Sequence, residues 1–208
     1  REAHDRLLRD HASREEAFIA RGRIARYAAM TALSADIAEA DRAGRYASAL
    51  DDAAASFDQA AILRPNDTTA LVLAGDAYFE AATTQSLEKS AKRYSDALRV
   101  DSRLADAHYQ LGRCRLAQKK WREARQCFAE CSDLLPKERS YLQLRALAGI
   151  CGDDKLDVQS TTARLVSDAA QDPSTAILVA LRHVLSDNLD AAVELLRKSA
   201  AASTADYR

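Results

Sequence analysis

The chain has 208 residues, 48% of them hydrophobic and 29% charged, and its 30 Lys and Arg against 31 Asp and Glu leave a formal net charge of -1. So even a balance excludes a surface whose binding is driven by bulk positive charge, and no nucleic acid is expected as a partner. With 6 Gly, 3 Pro, abundant Ala and no apolar run of about 18 residues, a helical chain without membrane insertion is expected.

Along the chain, residues 1–22 place Leu7, Leu8, Phe18 and Ile19 on one helical face. They are expected to form an N-terminal helix or a linker from a preceding domain, and Gly22 is expected to break that helix from the next. The first residue is Arg1 rather than Met, which points to a fragment or processed product. The charged start REAHDRLLRD differs from the apolar core of a secretory signal, so a cytoplasmic location is expected. A long helix then spans RIARYAAMTALSADIAEADRAG. The string YASALDDAAASFDQAAILRPND follows it, carrying Phe57, Ala60 and Pro65.

From Thr68 the pattern sharpens. TTALVLAGDAYFE puts Ala70, Leu71, Gly75 and Tyr78 in a first helix, and Tyr94 and Ala97 fall in a second. The next stretch, ADAHYQLGRCRLAQKKWREARQCFAECSDLLP, repeats the arrangement. Ala107, Leu111, Cys114 and Leu116 share one face, Ala124, Cys127, Phe128 and Cys131 share another, and Pro136 closes the unit. Laid over one another the copies recur at about 34 residues. Gly75 and Gly112 let a first helix approach its partner, while Ala60, Ala97 and Cys131 let a second helix lie against the next unit. Two weaker hairpins follow. One turns at Gly152 to Lys155, carries Leu165, Val166 and Ala169 and is ended by Pro173; the other has Ala180 in the small site, a turn at Ser186 to Asn188, and Leu195 and Leu196 in place of the aromatic.

These features resemble the tetratricopeptide repeat family, most fully at Leu111-Gly112, Trp121, Ala124, Phe128 and Pro136, with departures at Arg115 and Cys131. The resemblance implies an all-α fold: an α-solenoid, a right-handed superhelix of about five stacked helix-turn-helix repeats with an extra N-terminal helix. Residues 23–136 would hold three repeats, 137–203 two degenerate hairpins, and 204–208 a tail. In this family the first helices line a concave groove that receives an extended peptide or a partner's helix. Carried over by position, the groove-facing residues are Thr69, Val72, Leu73, Asp76 and Phe79, then Asp106, Tyr109, Gln110 and Arg113, then Gln143 and Leu147. Asp76, Phe79, Tyr109, Gln110, Arg113 and Gln143 are the candidate partner-binding residues, since aromatic and Arg side chains make strong anchors. The subgroup that grips a C-terminal carboxylate needs polar residues where Val72 and Leu73 stand; only Arg113 fits it.

Chemistry within the chain is not expected. There is no Gly-x-Ser-x-Gly turn, no Gly-rich phosphate loop and no His-Glu-x-x-His pair, and no cofactor or metal is implied. Cys114, Cys127, Cys131 and Cys151 read as thiols filling small sites, Asp153 and Asp154 as a solvated turn, and His183 as a packed or rim histidine. Six basic residues between Arg113 and Arg125 contrast with seven Asp between 151 and 190, and helical spacing spreads the former over several faces. A helical-repeat RNA binder would need basic grooves in most repeats. The expected function is a non-catalytic protein-protein interaction scaffold, a possible subunit of a larger complex. The alternative is a regulatory or docking domain of a multidomain enzyme whose catalytic part lies outside this chain.

Overall fold

The computed structural model describes residues 14–34, 39–166, 169 and 172–205. Within them the chain forms ten helices joined mostly by short turns, in two compact units, residues 1–118 and 119–208. The first unit holds α1 (Arg14–Ser34), α2 (Glu39–Leu63), α3 (Thr68–Ala81), α4 (Thr84–Val100) and α5 (Ala105–Ala117). Each packs on its successor, and the first helices α3 and α5 also touch.

Turn chemistry sets the helix starts. Asp67 accepts from the Thr69 amide at 2.8 Å to cap α3, and Thr83 and Ser86 exchange side-chain and backbone bonds in a capping box at the start of α4. Pro65 lies in the preceding turn. The small residues do what their spacing requires: Ala60, Ala70, Ala97 and Ala107 are fully buried together, with Phe18 and Ile19 of α1 packed against them. Alanines there allow close backbone approach, and the adjoining larger side chains supply the buried area.

At Gly22 the structure departs from the expected break. Residues 1–13 of the expected N-terminal helix lie outside the described residues, and from Arg14 the helix runs unbroken through Gly22 to Ser34. One Gly costs a helix only about 1 kcal/mol. Here its bare Cα is used, since a Cβ on Gly22 would meet the Phe57 ring at 2.4 Å, just as one on Gly75 would meet the Tyr94 ring at 2.7 Å. Phe57 and Tyr94 are both fully buried. Thus α1 and α2 form a hairpin built like α3 and α4, but longer: 21 and 25 residues against 14 and 17.

The second unit holds α6 (Trp121–Leu134), α7 (Arg139–Cys151), α8 (Lys155–Ala163), α9 (Pro173–Leu185) and α10 (Leu189–Ala205). Gly149 of α7 plays the glycine's part against Val158 of α8, at 2.8 Å from a built Cβ. Asp153 takes a left-handed φ of 53° in the turn, and Asp154 caps α8 by accepting from the Asp157 amide. Both aspartates therefore serve the turn and the helix start. Leu142, Leu165, Ala169 and Val179 form a buried cluster with Leu195 against it. Pro173 was expected to end a helix; it begins α9 instead, at the position where a missing N–H costs nothing, while α8 has already stopped at Ala163.

Asp172, the cap of α9, gathers several donors: the amides of Ser174 and Thr175, the Thr175 hydroxyl at 2.5 Å and Gln143 Nε2 at 2.6 Å. These hydrogen bonds, that from the Thr175 hydroxyl foremost, hold its carboxyl below the ordinary value of 3.8. A carboxyl lowered on folding stabilises above the unfolded value, and that contribution is lost as pH falls through the folded one. Asp172→Ala should cost about 0.5–2 kcal/mol at neutral pH. In urea titrations the gap between wild type and variant should narrow as pH drops below 3.8.

No helix among the described residues is long and apolar enough to cross a membrane. None of the four cysteines is in a disulfide; Cys114 and Cys131 are buried, Cys127 is half-buried and Cys151 exposed. His183 lies half-buried with its Nε2 2.7 Å from the Arg182 guanidinium.

Candidate partner-binding groove

Helical period places Val72, Asp76, Phe79 and Glu80 along one side of α3, and Tyr109, Gln110 and Arg113 along one side of α5. In the first unit these side chains meet. The Arg113 guanidinium lies over the Phe79 ring at 4.5 Å and the Tyr109 ring at 5.7 Å, within cation–π range. Arg113 Nη1 donates to Gln110 Oε1 at 2.9 Å, which fixes the plane of the fork. Among the described residues no carboxylate of the first unit comes within 4.0 Å of Arg113.

The other cation on this face is differently placed. Arg26 of α1 donates through Nε to both carboxylate oxygens of Glu80 at 3.0 Å, adds a short contact from Nη2, and lies 3.7 Å from Asp76. Asp76 also accepts from the Tyr94 hydroxyl at 2.6 Å. Burial pushes the Asp76 carboxyl up, against the opposing pull of Tyr94 and Arg26. The Tyr94 hydroxyl is itself raised, chiefly by burial and then by Asp76. Arg26, Asp76, Glu80 and Tyr94 thus form one network on this face, beside the Arg113 stack, whose charge also draws the Asp76 carboxyl down.

Of the expected groove residues, Asp76, Phe79, Tyr109, Gln110 and Arg113 come together, each partly exposed. Thr69 and Asp106 are exposed near the helix starts, and Val72 and Leu73 are half-buried, packed into the neighbouring cores. Gln143 belongs to the second unit and its amide nitrogen is engaged by Asp172 and by Thr175 at 2.8 Å, a tie between α7 and α9. Leu147, on the same helix, is exposed. Arg26, Glu80 and Tyr94 were not anticipated. Counting from the glycine, Arg26 occupies in α1 the place that Phe79 holds in α3, so aligning Gly22 with Gly75 would have found it.

Two arginines of the basic run have partners within their own units. Arg115 donates to Gln118 at 2.8 Å and lies 4.0 Å from Glu88, while Arg125 in the second unit bonds Asp154 and lies 3.9 Å from Asp157. Away from the groove, a cleft of ≈ 530 Å³ opens beside α2 and α4, lined by Asp58, Ile62, Arg93 and Asp96 among others. Its charges are mutually satisfied: Arg93 reaches Asp58 at 2.7 Å and Asp96 at 3.3 Å, and Tyr78, its hydroxyl raised to about 12 by burial and Asp58, donates to Asp58 at 2.9 Å.

Solved structures with this arrangement of helices include MamA 41-end from Desulfovibrio magneticus RS-1, at a TM-score of 0.67 and 14% identity over 89% of this chain and 96% of that one. YrrB, described as a TPR protein with an unusual peptide-binding site, gives 0.61 and 19% over 83% and 90%. PilF of Pseudomonas aeruginosa gives 0.53 and 16% over 88% of each. No protein-family model matches the sequence, and no curated protein does. These likenesses show an all-α fold of helical hairpins, shared with YrrB, which is described as a TPR protein.

Proposed function

We propose that this chain is a non-catalytic interaction scaffold that holds a peptide or helix of an assembly partner along the side of α3 and α5. The observation that carries this reading is Arg113: a guanidinium laid on two aromatic rings, steadied by Gln110, and paired with no carboxylate of its unit among the described residues. Such a side chain is pre-positioned and only partly desolvated, the condition in which Arg and aromatic residues anchor a ligand. The Arg26 network beside it has its charges paired with one another. The likeness to a peptide-binding tetratricopeptide protein supports the same reading.

A phage-displayed peptide library tests it. Peptides selected on the wild type should bind Tyr109→Ala/Arg113→Glu at least about tenfold more weakly, equivalent to ~1.4 kcal/mol or more. The melting temperature of the double variant should stay close to wild type, because both side chains are partly exposed. A variant that unfolds, or that keeps its peptides, would remove the groove reading.

A further inference from the structure

Among the described residues two apolar surfaces are left exposed. On α9 the residues facing the core are Thr175, Ala176, Leu178, Val179 and Ala180, yet Ile177, Leu181, Val184 and Leu185 are 40–54% exposed. Their spacing puts them on one continuous side, and Leu189 and Val193 of α10 are also large and exposed. A helix apolar on both sides is a helix made to be covered on both. The second surface is on α1, where Ile24 and Tyr27 are 59% and 72% exposed, with Met30 and Leu33 exposed further along. Arg21 and Arg23, both exposed, flank Ile24 and Tyr27 on opposite sides.

We propose that copies of this chain associate with one another through these two surfaces, α9 and α10 of one copy covering α1 of the next. Charge selects this pairing. Placing α1 on the α1 of another copy would set Arg21 and Arg23 against themselves. The surface of α9 and α10 has no charge on its exposed α9 side and is rimmed at its turn by Asp187 and Asp190; Glu194 is occupied by Lys198 at 3.3 Å, and Arg182 stands against His183, leaving Arg197 as the nearby cation. Arg21 and Arg23 can therefore meet Asp187 and Asp190 across an apolar centre. Because two different patches are joined, the contact is heterologous.

Sedimentation velocity over a wide concentration range tests this. The wild type should give a weight-average mass that climbs with concentration above that of the monomer. Ile24→Glu/Tyr27→Glu and Leu181→Lys/Val184→Lys, all at exposed positions, should each be monomeric with unchanged helical circular dichroism. Mixed in equal amounts they should form a species of twice the monomer mass and nothing larger, each supplying the surface the other lacks. As a second route, Arg21→Glu/Arg23→Glu should weaken association and Asp187→Lys/Asp190→Lys in the same chain should restore it. A wild type that stays monomeric throughout, either apolar-surface variant that still associates alone, or a mixture that forms no complex would overturn the proposal.

Discussion

Tyr94→Ala should lower the unfolding free energy by about 3–5 kcal/mol, the range for removing a buried aromatic ring. The ring is fully buried in α4 and lies on the backbone of Gly75, so the truncated chain has nothing to collapse into the space. The loss has a second part. Without the hydroxyl, Asp76 keeps its burial but loses its 2.6 Å donor, leaving Arg26 at 3.7 Å as its main compensation. Tyr94→Phe separates the two contributions and should cost about 1.5–3 kcal/mol, as expected for a hydrogen bond to a charged group. Urea titrations of all three proteins measure both differences. If Tyr94→Phe were as stable as wild type, the link from Tyr94 to Asp76 would carry no energy.

Phe57→Ala should be comparably severe, again about 3–5 kcal/mol. It also tests whether α1 and α2 are a hairpin of the same kind as α3 and α4. Phe57 is fully buried over Gly22, in a cluster with Ala53, Ala54, Ala74 and Ala77. Gly22→Val should reproduce much of the loss from the opposite side, since its Cβ would stand within 2.7 Å of three ring carbons. Were Gly22 a break between two helices, as its place in the sequence first implied, Gly22→Val would be harmless and Phe57→Ala would be felt alone.

Why the chain betrayed some of this and concealed the rest follows from particular residues. Gly75, Tyr94 and Ala97 recur in the sequence one unit later as Gly112, Phe128 and Cys131, and small and large residues recurring at a fixed spacing are a pattern that sequence carries directly. Gly22 packs on Phe57 by the same rule, but α1 and α2 are several residues longer than their counterparts, which moves Gly22 out of the period of about 34 residues that Phe57 keeps. That Asp76, Phe79, Tyr109, Gln110 and Arg113 come together was legible because helical spacing alone assigns a side of α3 and α5. The ion pairs of Arg26 were not, because they depend on how closely α1 approaches α3. The partners of Gln143 were not legible for a similar reason: its spacing puts it among the expected groove-facing residues, while its amide reaches Asp172 and Thr175, a partnership that only the packing of α7 near α9 creates. Pro173 could have been placed correctly, since Asp-Pro-Ser-Thr is a helix start as readily as an end.

Hydrogen exchange by mass spectrometry, on the protein with and without a peptide selected on its surface, tests the central claim most directly. Slower exchange concentrated in α3 and α5, around 72–80 and 106–113, with little change in α2 and α4, is the result predicted for a ligand held between Phe79, Tyr109 and Arg113. Protection confined to the cleft beside α2 and α4, or to residues 119–208, would contradict it and place the binding surface elsewhere.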